Sequence, residues 1–336
     1  GPDGGEGLLE TGERGCSKRG QWPARGPGVP VGAPHPDPPL VTDHPAAFST
    51  LPAAAVRHPQ HVLSERVHEA SRLSLLAVSH LSPREKLRLL AVTRPGTGAW
   101  LDAPPIQALG LKFSREEFSS LLKWWLGIPV LLPGPCPEPN CSAILDPWGD
   151  HAVMCPCGPT RISHDSVNRA WAFSLKAVGM HCTMEQHVDP QSNRRSADTF
   201  VFDWERGAPA AHDWVVTHAL QKDAVSRASP DPDVALRTSE ASKNSYAKEV
   251  VEARGIAFIP LAVDTFAGFG DAAFDAIAKV ATQARLARGE DFDLSRSRLT
   301  QRLQVAAMRG VARQLLRRLS HLDDEELDEG AADDAE

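Results

Sequence analysis

Tyrosine is almost missing from this chain: among 336 residues there is one, Tyr246, and methionine is scarce too, with four. No run of 18 apolar residues occurs, so no segment reads as a membrane-spanning helix. Nothing near the start combines a positively charged stretch with an apolar one, so no secretory signal is visible. The first residue is Gly rather than Met, and the chain reads as a fragment. No internal repeat is found. What is present, 42% hydrophobic and 24% charged residues, is enough to bury the cores of two ordinary domains, which excludes a collagenous or wholly disordered chain.

The averages hide strong segregation. Of the first 45 residues 19 are Gly or Pro, a composition that cannot pack a core and predicts disorder over residues 1–58. From Asp323 to Glu336 there are nine acidic residues and no basic one, so the formal charge of -7 belongs to this tail and the remainder carries +2. Just upstream, nine arginines lie between Arg285 and Arg318. Such a run is either a solvated helix face or the electrostatic footprint of a phosphate-backbone binder, for which the tail would compete.

Between the ends, periodicity predicts helices over Leu63 to His80 and Pro83 to Val92. The second is opened by Ser82, Pro83 and Glu85 as a capping box. Ser114 and Glu117 form another box ahead of a helix through Trp125. A helix from Asp165 to Val178 is followed by strands near His181 to His187, Ser196 to Trp204 and Ala211 to Thr217. Then come a helix from Val234 to Arg254, a strand from Ile256 to Val263, and helices from Asp271 to Arg288 and Ser295 to Leu319. The order from 165 to 263 is αβββαβ, a hairpin, a crossover helix and a further strand, which implies an α/β fold with a mixed sheet.

Cys136, Cys141, Cys155 and Cys157 crowd into 22 residues, although the whole chain has only six cysteines. With His151 the spacing is Cys136-x4-Cys141-x9-His151-x3-Cys155. These are two close pairs of soft or borderline ligands around a turn-rich loop, as a structural tetrahedral Zn²⁺ requires. Cys157 and His164 are rival fourth ligands. The plainer alternative is a loop of unpaired thiols, or a disulfide in a secreted protein. Cys16 and Cys182 read as unliganded.

A second cluster lies on a hairpin, Ser196 to Trp204 and Ala211 to Thr217, with a carboxylate on each arm. If the turn centres between Arg206 and Gly207, Asp198 lies opposite Val215. Asp213 then sits diagonally on the same face, roughly 7 to 8 Å away at Cα, within reach of one hard cation. A slip of one residue would destroy this site. Further on, Lys243 and Tyr246 at i and i+3 share one helix face. A carboxylate pair with a metal and a nearby lysine is what phosphodiester hydrolysis needs: the metal activates water and neutralises charge, and the lysine orients or stabilises. Taken alone, two aspartates in a hairpin are more often surface groups. His212 and His218 read as ordinary strand histidines.

In order and spacing, the segment from Trp100 to Thr265 resembles the C-terminal part of the reverse transcriptases of site-specific non-LTR retrotransposons and their unclassified relatives. That part comprises a linker, a zinc knuckle and a restriction-endonuclease-like domain of the PD-(D/E)xK superfamily. The resemblance rests on Gly98-Ala-Trp-Leu101, Leu126-Gly-Ile-Pro129, the cysteines with Asp146-Pro-Trp-Gly-Asp-His151, then Arg161 and His164. It continues through Arg195-Ser-Ala-Asp198, Asp213, Lys243-x-x-Tyr246 and Pro260-Leu-Ala-Val-Asp-Thr265. It covers roughly half the chain.

The resemblance implies a PD-(D/E)xK αβββαβ core and a DNA endonuclease that nicks its target to prime reverse transcription. Asp198 and Asp213 would hold Mg²⁺ or Mn²⁺, and Lys243 would be the catalytic lysine moved onto the following helix. Tyr246 would be its companion, and Glu185 a third acid on the preceding strand; Asp165 and Asp203 are weaker candidates. Ala197 and Val215 depart from the usual pattern, so activity requires Lys243 to fold back onto the aspartates.

The same resemblance implies DNA as partner, with element RNA as a second, no membrane, and a nuclear location. Nothing resembles the Tyr/Phe-x-Asp-Asp turn of the polymerase that the parent would carry. The organisation reads as a disordered 1–58, a helical linker 59–130, a zinc knuckle 131–160, the nuclease-like domain 161–290, a basic helix 291–320 and an acidic disordered tail 321–336. The competing function is an inactive nucleic-acid-binding remnant with a structural zinc, and a third is a zinc-stapled interaction module.

Overall fold

The computed structural model describes residues 59–158, 161–188, 197–227 and 229–332. The Pro/Gly-rich segment 1–58, including Cys16, and the run Arg194-Arg195-Ser196 lie outside the described residues. The chain divides into two units, one spanning Ser17–His80 and one containing Leu81–Glu336. Of the first, the helix α1 (Pro59–Leu76) is described; it starts and ends four residues earlier than its periodicity predicts.

In the second unit both capping boxes form. The helix α2 (Pro83–Val92) starts where Ser82 Oγ accepts from the Glu85 amide and the Glu85 carboxylate accepts from the Ser82 amide. The helix α3 (Arg115–Leu126) repeats this with Ser114 and Glu117. Each reciprocal pair satisfies two amides that the first helical turn would otherwise orphan. Next come a two-residue ladder of β1 (Gly134–Pro135) with β2 (Ile144–Leu145) and the short helix α4 (Asp150–Met154).

The helix α5 (Arg161–Ala177) precedes β3 (Cys182–Gln186), β4 (Ala197–Glu205) and β5 (Ala208–Thr217). A short α6 (Lys222–Val225) and α7 (Val234–Lys243) lead to a π-helical turn, Asn244–Lys248, and to α8 (Glu249–Glu252). The chain then forms β6 (Ala257–Asp264), α9 (Asp271–Arg288) and α10 (Phe292–Ala332). The four strands make one mixed sheet in the order β3-β4-β5-β6, antiparallel twice and then parallel. This is the α/β arrangement with a mixed sheet expected from the element order.

Alternation along β5 decides what each sheet face touches. Ala210 and Trp214 pack with Trp171 and Leu175 of α5 and with Ile277 and Val280 of α9. On the other face Ala211 joins Val251 and Phe258 in a smaller core, and Asp213 faces α7 through Lys243. A third core joins α2, α3, the cysteine loop and α10, with Trp100, Trp124, Cys155 and Leu315 among its members.

Three features differ from expectation. The helix predicted over Val234 to Arg254 is interrupted by the π turn directly after Lys243. The acidic residues after 320 were expected to be an unstructured tail, but the α10 backbone continues as helix to Ala332. Extending a helix that is already nucleated costs little, even though acidic groups at its C-terminal end oppose the macrodipole. The third difference is the hairpin register, which shapes the site.

Candidate functional site

The cysteine loop closes on itself. Cys136, Cys141, His151 and Cys155 each bring one ligand atom to within 4.8 Å of the others, and among the described residues no other three or more Cys, His, Asp or Glu do so. Cys136 Sγ lies 3.8 Å from Cys155 Sγ, Cys155 Sγ 3.6 Å from Cys141 Sγ, and Cys141 Sγ 3.4 Å from His151 Nε2. A tetrahedral zinc with bonds of about 2.3 Å to sulfur sets two sulfurs about 3.8 Å apart, so the donor set fits that ion in spacing and in chemistry. Burial pushes the Cys155 thiol up to about 12, so a cation is needed to make it a thiolate. These four residues can hold a metal such as zinc. The rival ligands stay outside the group: Cys157 Sγ donates to the Asn140 carbonyl at 3.4 Å, and His164 turns toward the sheet.

The Asp146-Pro-Trp-Gly-Asp-His151 stretch explains how the loop turns. Asp146 accepts from the amides of Trp148, Asp150 and His151 at 2.8 to 3.1 Å, which aims His151 inward. Gly149 is left-handed at φ 79°, and a Cβ there would lie 2.5 Å from Leu315 Cδ2. Buried Glu138 accepts from Arg317 at 2.8 Å and pairs with the fully buried Arg318 at 3.1 Å.

Other members of the arginine run also bind the protein itself. Arg309 donates to the carbonyls of Gly110 and Lys112, and Arg288 to that of Ala177. These four of the nine arginines, Arg288, Arg309, Arg317 and Arg318, tie the segments around Gly110, Glu138 and Ala177 to α10 and to the end of α9, whereas Arg285, Arg296, Arg298 and Arg313 are exposed.

The hairpin site forms, in a register the turn alone does not predict. Glu205 pairs with Ala208, but Val201 pairs with Ala210 and Thr199 with His212, so β4 carries two extra residues between Val201 and Glu205. Continued by one residue, this register puts Asp198 level with Asp213, where Val215 was expected. A shift of two residues keeps each side chain on its own face, whereas a shift of one would have reversed them. The bulge thus converts a diagonal pair into a facing one. Lys243 does fold back: its Nζ donates to Asp213 Oδ1 at 2.9 Å.

Asp198 is held from two sides. Its Oδ2 accepts from the Trp214 amide at 2.7 Å and from His164 Nε2 at 2.8 Å, and its carbonyl accepts from Asn168 Nδ2 at 3.0 Å. Burial raises its pKa, but His164 first, then Asp213 and Lys243, together outweigh burial and hold the carboxyl below the ordinary range. Asp213 goes the other way. Burial first, then the neighbouring Asp198, push it up to about 7 despite Lys243. Two carboxyls forced together split in this manner, one ionised and one holding its proton until neutral pH. His164 also meets Asp165 through Nδ1 at 3.1 Å. Burial lowers its pKa, yet the two carboxylates outweigh this and raise it.

The remaining candidates divide. Continuing the β3–β4 register puts Glu185 level with Asp198, but its φ of 55° is left-handed and its carboxylate lies 4.0 Å from Arg161. Tyr246 sits on the π turn, 55% exposed. Asp203 accepts from the Gly207 amide and serves the turn. His212 is fully buried, accepts from Trp171 Nε1 at 2.9 Å, and is kept neutral by burial, its pKa brought down to about 3. His218 is buried against Trp124 and Phe266, with Nδ1 2.7 Å from Thr265 Oγ1. Cys182 is buried in β3, 3.6 Å from the Ala172 carbonyl.

Sequence reasoning missed His164 and Asn168 as partners of Asp198. The available signal was the helical spacing of His164 and Asn168, four apart and hence on one face of α5. Compared with known proteins, the chain matches no family model, no curated protein and no solved structure.

Proposed function

We propose that the chain is a divalent-metal-dependent DNA endonuclease, the target-nicking domain of a lineage derived from non-LTR retrotransposon reverse transcriptases. The observation that carries this reading is the 2.9 Å contact of Lys243 Nζ with Asp213, thirty residues away, beside a second carboxylate at Asp198. Two carboxyls that repel each other strongly enough to hold a proton near neutrality are relieved by a cation, so Asp198 and Asp213 would hold Mg²⁺ or Mn²⁺. A cation held there would supply an activated water and neutralise charge on the phosphate. Lys243 places a positive charge where the pentavalent centre gains negative charge and orients the attacking water. Tyr246, exposed on the π turn three residues after Lys243, would be its companion. Zinc staples the knuckle, and Arg161, Arg169 and Lys176, exposed on α5, would meet the DNA backbone.

The test is nicking of supercoiled plasmid with Mg²⁺ or Mn²⁺. Wild type is expected to nick, and Asp213→Ala to lose nicking while keeping its zinc. Equal nicking by the variant would overturn the assignment. If neither protein cuts and both bind DNA with steep salt dependence, the chain is a binding remnant instead.

A further inference from the structure

His164 is bound to the site yet has no part in the chemistry proposed for it. It lies on the first turn of α5, and Asp165 and Asp198 flank its two ring nitrogens. Nε2 lies 2.8 Å from Asp198 Oδ2 and Nδ1 3.1 Å from Asp165 Oδ1, so the ring is held at both ends.

The lone pairs of Asp198 decide what this does. A carboxylate oxygen offers about two lone-pair sites. Those of Oδ2 are filled by the Trp214 amide at 2.7 Å and His164 Nε2 at 2.8 Å. Only Oδ1 remains for a cation. The same helix grips the backbone at this residue, because Asn168 donates to the Asp198 carbonyl and accepts from Thr199 Oγ1. The carboxyl therefore cannot rotate without breaking two hydrogen bonds and cannot translate without moving α5.

We infer that His164 is the positioning residue of the cation site: anchored by Asp165, it occupies Asp198 Oδ2 together with the Trp214 amide and so presents Oδ1 toward Asp213. The proposal rests on the reading of Asp198 and Asp213 as cation ligands. Groups that orient a metal-binding carboxylate from behind commonly change metal affinity by about 10- to 100-fold when removed.

The experiment uses the full chain with its zinc retained. Mn²⁺ binding is measured by electron paramagnetic resonance, and the Mn²⁺ concentration for half-maximal plasmid nicking is read in parallel. His164→Ala is expected to weaken both by about 10- to 100-fold, with zinc content and the KM for DNA unchanged. His164→Gln, whose amide can still donate to Oδ2, is expected to recover most of the loss. If His164→Ala folds poorly, Asp165→Ala carries the test: the ring stays but loses its anchor, and a smaller shift of the same sign is expected.

Unchanged Mn²⁺ dependence in both alanine variants would overturn the inference while leaving the nuclease reading intact. So would a loss in His164→Gln as large as in His164→Ala. A wild-type chain that neither binds Mn²⁺ nor nicks overturns both.

Discussion

Gly310 allows a perturbation of the site from outside it. It lies inside α10 where that helix crosses α5, and a Cβ there would fall 2.3 Å from Ser163 Oγ, 2.5 Å from Ser163 Cα and 2.6 Å from Ser163 Cβ. Carbon atoms in contact sit about 3.5 to 4.0 Å apart, so Gly310→Ala must part the two helices by roughly 1 Å. Alanine's better helix propensity returns about 1 kcal/mol, against about 1 to 3 kcal/mol for overpacking. A net loss of up to about 2 kcal/mol is expected, read as a lower urea midpoint with an unchanged slope.

Ser163 immediately precedes His164, so the displacement reaches Asp198. A misplacement of about 1 Å can reduce a rate about 100-fold, and plasmid nicking should fall steeply in a protein that is still folded at 25 °C. Ser163→Ala should not rescue either effect, because the Ser163 Cα itself is in the way. A Gly310→Ala protein that is more stable than wild type by the propensity increment, with normal nicking, would refute the close crossing and the route from it to the site.

Two further expectations concern stability. His212 is neutral in the fold down to about pH 3 and titrates near 6.5 when unfolded, so below pH 6.5 the unfolded chain binds the extra proton and stability falls with pH. Between pH 7 and pH 5 this group alone should cost about 2 kcal/mol. His212→Gln should flatten that part of the urea-midpoint profile, and an equally steep profile in the variant would contradict the assignment. Purified protein should also carry about one zinc per chain by elemental analysis. Cys155→Ser or strong chelation should remove it and loosen the knuckle, seen as loss of near-ultraviolet circular dichroism from Trp148 and Trp124. Full near-ultraviolet signal without zinc would count against a structural role for the metal.

Much of the architecture is written locally. Capping boxes at Ser82 and Ser114, the turn at Glu205 to Ala208 and the helix over Asp271–Arg288 depend on neighbours within a few residues, and each forms as its sequence suggests. The four residues that can hold a metal were legible for the same reason, since Cys136, Cys141, His151 and Cys155 lie within twenty residues and spacing limits which can meet. The register of the hairpin was not. Two extra residues in β4 change no local propensity; what pins them is how Val201 and Trp214 pack on α5 and α9.

Residue type and spacing sufficed for the order of elements and for a zinc-type donor set, because both encode short-range geometry, whereas Asp198, Asp213 and Lys243 were singled out together through the family resemblance. Packing between distant segments placed Asp198 level with Asp213 and turned His164 to the sheet rather than to the cysteine loop. It also decided that arginines such as Arg318 are internal ties. Each of those outcomes depends on packing between segments tens to hundreds of residues apart, where a shift of one or two positions costs little in local energy and redirects every side chain beyond it.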